Sequence, residues 1–311
     1  KRMLKEDIPL QISSIKEGYL PVYFPFAIYH LNKNYPNLYP IGSLPFTKTY
    51  YCNEGYGLHT YVSDRFGLRN SDSNWNEIQN KNTIYFIGDS YTHGACVRDK
   101  ETIPKRVELS TNLNTLNLGM GGNGPYEYQA VLESIVRPLV KDQEKEDFIV
   151  LIFNNNDGKI QSSNKKRIHL NKLKPIVNIS PDGDINPKNS YINSLKSIIK
   201  KNYDFSEKEM TSKIKKDSYK LTTLYQVGSL VRTRSQIKYS LKSLSTNNLN
   251  DYSISKDSIK LLSEICQKKC KPFVVYIPNS LYRTKHIDEY KIELQDISKK
   301  LGVPFLDGEL E

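Results

Sequence analysis

Thr83-Ile-Tyr-Phe-Ile-Gly88-Asp89-Ser90-Tyr91-Thr92-His93-Gly94 decides the fold. An apolar run passes through a glycine into a short polar turn, the pattern of a buried strand handing its carboxyl end to a loop ahead of a helix. The cadence repeats downstream. A helical stretch near Ile103 to Ser110 leads to Asn114-Thr-Leu-Asn-Leu-Gly119, and Pro125 then opens a helix to about Val140, with apolar Val131, Leu132, Ile135, Val136 and Leu139. Asp147-Phe-Ile-Val-Leu-Ile-Phe153 follows. After an interruption come a helix from about Ser255 to Lys269, the strand Pro272-Phe-Val-Val-Tyr-Ile-Pro278, a helix from about Ile287 to Leu301, and Val303-Pro-Phe-Leu-Asp307. Apolar runs alternating with amphipathic helices predict a three-layer α/β/α fold around a five-stranded parallel sheet.

This divides the 311 residues into three parts: a Tyr- and Pro-rich, strand-rich lead-in over 1–80 packed on the core, a core from 81–157 and 251–311, and a basic insertion over 158–250. In the lead-in, Thr47-Lys-Thr-Tyr-Tyr-Cys52 and Gly57-Leu-His-Thr-Tyr-Val62 read as extended runs. The insertion holds 19 Lys and Arg against 6 Asp and Glu, with a helical patch at Ser194 to Lys201, and is expected to form a cap beside the active face. It accounts for the net charge of +11, so the remainder is close to balance. A basic surface suits an anionic polysaccharide or a membrane surface through attraction that salt screens; nucleic acid is not expected as a partner. The ordinary alternative is a solvated Lys-rich face.

Hydrophobic residues at 38% and aromatics at 11% suit a folded domain, although mean hydropathy is −0.58. The apolar stretch Tyr19 to Leu31 is too short to cross a bilayer and is broken by Pro21 and Pro25. The chain opens on Lys1, which leaves room for a leader or anchor upstream. Cys52, Cys96, Cys266 and Cys270 are too few for a disulfide scaffold and lack zinc-site spacing; Cys266 and Cys270, four apart in a helical pattern, read as small semi-buried residues.

Ligands of open α/β sheets bind beyond the carboxyl ends of the strands, and three polar loops fall there. The first presents Ser90, a hydroxyl at a tight strand-to-helix turn. The second, Asn117-Leu-Gly-Met-Gly-Gly122-Asn-Gly124, offers bare backbone N–H groups. The third, Asn154-Asn155-Asn156-Asp157, offers the Asn156 side-chain amide. A nucleophile flanked by N–H donors is what acyl transfer needs, because charge develops on the acyl oxygen in the transition state. No cofactor or metal is expected.

These motifs resemble the SGNH branch of the GDSL serine hydrolases. Gly88-Asp89-Ser90 looks like the family's first block, Gly122 falls at its second-block glycine, and Asn154 to Asp157 resembles its third, Gly-x-Asn-Asp, with Asn in place of Gly. The resemblance covers about Thr83 to Asp307 without the insertion. It implies a flavodoxin-like sheet, Ser90 as nucleophile, and the Ser90 N–H, Gly122 N–H and Asn156 side chain as oxyanion donors. The lead-in Ser63-Asp-Arg-Phe-Gly-Leu-Arg69 also resembles bacterial members associated with surface polysaccharides. That points to an extracytoplasmic esterase or O-acyltransferase acting on an acyl, notably acetyl, ester of a glycan.

The chain departs from the family at Asp307-Gly-Glu-Leu310, where Asp-x-x-His should supply the base. The native block is expected beyond Glu311, so that residues 1–311 are expected to have little activity of their own. Of the other histidines, His93 reads as helix-start packing or a hydrogen-bond partner behind the site, His286 as a surface residue after the fourth strand, and His30, His59 and His169 have no companion motif. Two rivals stand. One is a catalytically silent carbohydrate-binding or scaffold module. The other is nucleotide binding, because Gly119-x-Gly121-x-x-Gly124 satisfies the dinucleotide fingerprint, although it follows the second strand rather than the first.

Overall fold

Parallel strands buried on both faces require apolar side chains in both alternating sets, and the central runs have them. The computed structural model describes residues 7–25, 39–51, 57–140, 145–155, 157, 174–202, 207–215, 252–267, 269–278 and 285–308. Its main sheet comprises β4 (Thr83–Ile87), β5 (Asn114–Asn117), β6 (Asp147–Asn154), β9 (Cys270–Ile277) and β10 (Phe305–Asp307), in the order β10-β9-β6-β4-β5. All four pairings are parallel, so the five carboxyl ends share one edge. The chain is therefore an α/β protein with the expected five-stranded parallel sheet.

Tyr85, Ile87, Leu151, Phe153, Val274 and Tyr276 point to one face. There they meet α5 (Pro125–Val131), α7 (Ser253–Cys266) and α8 (Lys285–Lys300) through Tyr128, Leu262, Tyr290 and Leu294. Ile84, Phe86, Val150 and Ile152 point to the other face, against Ile103 and Val107 of α4 (Ile103–Thr111). Farther along that face, Phe273, Val275 and Leu306 help to line an apolar hollow of about 360 Å³.

The helix opened by Pro125 does not stay α. It passes through a π-helical turn at Leu132–Val136 before ending at Arg137–Leu139. Pro138 has no N–H for the Ser134 carbonyl, which instead accepts a hydrogen bond from Ile176 N at 3.1 Å. Ile176 leads into β7 (Val177–Ile179), paired antiparallel with β8 (Ile185–Pro187), and then α6 (Asn189–Asn202). This described part of the insertion leans on the lead-in: Arg65 Nη1 donates to Ile185 O, and Tyr191 Oη accepts from Ile41 N. The basic cluster Lys165, Lys166 and Arg167 lies outside the described residues.

The described part of the lead-in adds a helix to a small three-stranded sheet. It begins with a helix, α1 (Asp7–Lys16), before the short strands β1 (Leu20–Pro21), β2 (Lys48–Tyr50) and β3 (Thr60–Val62), paired in the order β1-β2-β3, and a one-turn helix α2 (Asn74–Glu77) precedes β4. No helix among the described residues is long and apolar enough to cross a membrane.

The cysteine reading also needs correction. Cys266 and Cys270 form a disulfide with Cα atoms 4.6 Å apart. The two do not share one helix: α7 ends at Cys266 and Cys270 already begins β9, and the adjoining ends of the two elements bring the sulfurs together. Cys96 is disulfide-bonded as well; Cys52 lies outside the described residues.

Candidate active site at the sheet edge

Ser90 is the first residue of α3 (Ser90–His93), a single turn that leaves β4 through Gly88 and Asp89. Such a sharp exit requires close contact. A Cβ on Gly88 would stand 2.1 Å from Thr92 Oγ1, and one on Gly119 2.5 Å from Thr92 Cβ, so both glycines let α3 settle against the strand ends. Asp89 caps the turn, its carboxylate accepting from Tyr91 N at 2.9 Å. Ser90 is partly exposed, and among the described residues its hydroxyl hydrogen-bonds only Asp89, at 3.4 Å.

The glycine loop runs directly beside this turn. Backbone pairing continues past the strands, with Leu118 N donating to Phe86 O and Met120 N to Gly88 O. Gly121 N then donates to His93 Nδ1 at 3.2 Å. Gly122 follows with φ +82°, exposed, its N–H donating to no described residue. Gly124 N donates to Glu127 Oε2 at 2.9 Å, so a carboxylate already occupies the helix start that a dinucleotide phosphate would need. This geometry argues against the nucleotide reading.

The third loop is built around a buried acid. Asp157 accepts from Asn154 N at 2.8 Å and from Tyr128 Oη at 2.9 Å, while Tyr276 Oη donates to Asn155. Asn156, the expected side-chain oxyanion donor, lies outside the described residues. Burial pushes Asp157 well above the ordinary carboxyl range, and the nearby Asp89 charge adds to the rise. Asp89 is itself raised by burial, against hydrogen bonds from Tyr91, Asn154 and Ser90.

Sequence reasoning missed the scaffold behind the nucleophile. In Ser63-Asp-Arg-Phe-Gly-Leu-Arg69, the Asp64 carboxylate accepts from Phe66 N, Leu68 N, Asn70 Nδ2 and Trp75 Nε1, each at 2.8 Å. Asn70 in turn binds the Asn117 backbone at the end of β5. Arg69 donates to Gly94 O at 2.6 Å and Val97 O at 3.0 Å, holding the exit of α3, and its guanidinium lies 5.1 Å over the Tyr61 ring. The repeated Asp, Arg and aromatic residues ahead of β4 were the available signal.

His93 is fully buried. Its Nε2 lies 3.1 Å from Tyr61 Oη, and Tyr51 stacks on the ring at 4.4 Å. With Nδ1 taken by Gly121, neither nitrogen serves Ser90. His59 is buried beside Arg69, both effects lowering its basicity, and makes no hydrogen bond to Ser90. His30 and His169 lie outside the described residues; His286 falls in the first turn of α8, its side chain likewise outside them.

The buried carboxyls give a pH prediction. Asp64 is raised by burial from 3.8 to about 6. A group that binds its proton more tightly when folded stabilises the fold while protonated, and that contribution fades as pH rises through the folded value. The unfolding midpoint should therefore fall between about pH 4 and pH 6, with Asp64 alone contributing ~3 kcal/mol of the change. A midpoint that climbs through this window in thermal melts would contradict the assignment.

No family model and no curated protein matches the chain. Solved structures similar to it include the SGNH-hydrolase family esterase AlinE4, at 11% identity and TM-score 0.36 over 72% of this chain and 75% of that one. A mutant of the same esterase gives 10% and 0.37 over the same shares. A protein of the G-D-S-L family from Desulfitobacterium hafniense DCB-2 gives 11% and 0.34, over 72% of this chain and 76% of that one. At such distances the likeness concerns architecture alone, and the chemistry of the site rests on the residues described above.

Proposed function

We propose that the protein is a serine-dependent acyl-ester hydrolase or O-acyltransferase with Ser90 as nucleophile. The reading is supported by a partly exposed Ser90 at a tight turn against which the glycine loop packs, through Gly119 at Thr92 and Gly121 N at His93, and by a Gly122 N–H that donates to no described residue. The Ser90 hydroxyl would attack the acyl carbon, and the Gly122 N–H, with the Ser90 N–H and the Asn156 amide, would stabilise the oxygen on which charge develops. The proposed substrate is an acetylated, anionic glycan, supported by the basic insertion and the polysaccharide-type lead-in motif. The disulfides fit an oxidising, extracytoplasmic compartment.

Neither described histidine reaches Ser90, which favours a second reading, a silent glycan-binding module. Supplied imidazole separates the two. It can act as the base, so hydrolysis of a short acetyl ester should rise with imidazole in the wild type beyond its rise in Ser90→Ala. Identical rates in the two proteins would leave the binding module.

Charge reversal at Lys165, Lys166 and Arg167 tests the substrate class. It should weaken binding of an anionic acetylated polysaccharide by about tenfold at low salt and leave turnover of a small neutral ester within about twofold. Equal losses on both would assign the cluster to folding.

A further inference from the structure

His93 is fully buried three residues after the nucleophile, and the proposed chemistry does not use it. Its two ring nitrogens meet the glycine loop on one side and the lead-in on the other. Gly121 N donates to Nδ1, which must therefore carry a lone pair; in the neutral ring the proton sits on Nε2, facing Tyr61 Oη at 3.1 Å. The ring is clamped from the lead-in, Tyr51 stacking at 4.4 Å and Tyr61 meeting it edge-on at 5.7 Å. A Cβ on Gly121 would stand 2.3 Å from the Tyr51 hydroxyl, so the loop backbone lies tight against the same clamp. The next peptide N–H is that of Gly122, without a described partner.

We propose that His93 is a positioning residue for the oxyanion-binding loop. Its Nδ1 lone pair anchors the Gly121 peptide and thereby aims the Gly122 N–H at the acyl oxygen. A donor for a developing charge helps only if it is already oriented when the charge appears. The lead-in thus reaches the reaction through one imidazole, with Tyr61 selecting the tautomer that leaves Nδ1 open. The inference rests on the reading of Ser90 as nucleophile.

Three variants test it in the imidazole-supplied acetyl-ester assay, with Ser90→Ala subtracted. His93→Leu removes the acceptor and should lower kcat by about 10²-fold with KM changed less than about threefold, since the interaction lost matters mainly in the transition state. His93→Asn returns an acceptor oxygen near the Nδ1 position and should recover most of that loss. Tyr61→Phe keeps the ring packing but removes the hydroxyl partner of Nε2, and should lower kcat by about fivefold at unchanged KM. Equal losses in His93→Leu and His93→Asn, losses confined to KM, or an unchanged kcat in Tyr61→Phe would each overturn the proposal. If the wild type shows no Ser90-dependent hydrolysis, the hydrolase reading has failed first, a pattern distinct from active wild type with unaffected variants.

Discussion

Ser90→Ala should remove all Ser90-dependent acetyl-ester hydrolysis from the imidazole-supplied wild type, down to the rate of imidazole alone. The size of the loss follows from chemistry that no neighbour can replace. Among the described residues Ser90 Oγ has a single hydrogen-bond partner, Asp89, itself committed to capping the turn. Alanine keeps the helix start and removes only the attacking oxygen, so the thermal midpoint should move by less than about 1 kcal/mol equivalent. A Ser90→Ala protein that hydrolyses the ester as fast as wild type would remove the nucleophile assignment.

Asp64→Ala should instead cost stability, on the order of 4 kcal/mol or more, because four N–H donors lose their acceptor, three of them on fully buried residues. The donors are the Phe66 and Leu68 backbones, the Asn70 amide and the Trp75 indole, and Asp64 and Trp75 are fully buried. A domain of this size has a net stability of about 5–15 kcal/mol, so such a loss would leave the variant marginal or unfolded. Asp64→Asn keeps one acceptor oxygen and should fall between the two in chemical denaturation. A loss below about 1 kcal/mol in Asp64→Ala would mean that the hub does not hold the lead-in to the sheet.

The core was legible because its signals are local. Thr83 to Ile87 and Asp147 to Asn154 are apolar on both alternating sets, which only a strand covered on both sides tolerates. The placement of Ser90 and the glycine loop at strand ends followed from the same runs. What was not legible depended on contacts distant in sequence. Tyr61 lies in the three-residue β3 and Tyr51 directly after the three-residue β2, runs too brief to read, and their partner His93 lies more than thirty residues away. The disulfide was missed because Gln267 to Lys269 extend a helical pattern that the backbone abandons at Cys266. The π-helical turn was hidden for a related reason. The Ser134 carbonyl, left without the N–H that Pro138 lacks, finds its donor only in Ile176 N, far along the sequence.

The central claim, that Ser90 is a nucleophile set beside an oxyanion-binding loop, can be tested without knowing the substrate. The folded protein is incubated with a serine-directed fluorophosphonate in the presence of imidazole, digested, and mapped by mass spectrometry. The account predicts one phosphonyl adduct, on the peptide carrying Gly88-Asp89-Ser90, formed more slowly in His93→Leu. An adduct on another residue, or none under conditions where the protein remains folded, would contradict it.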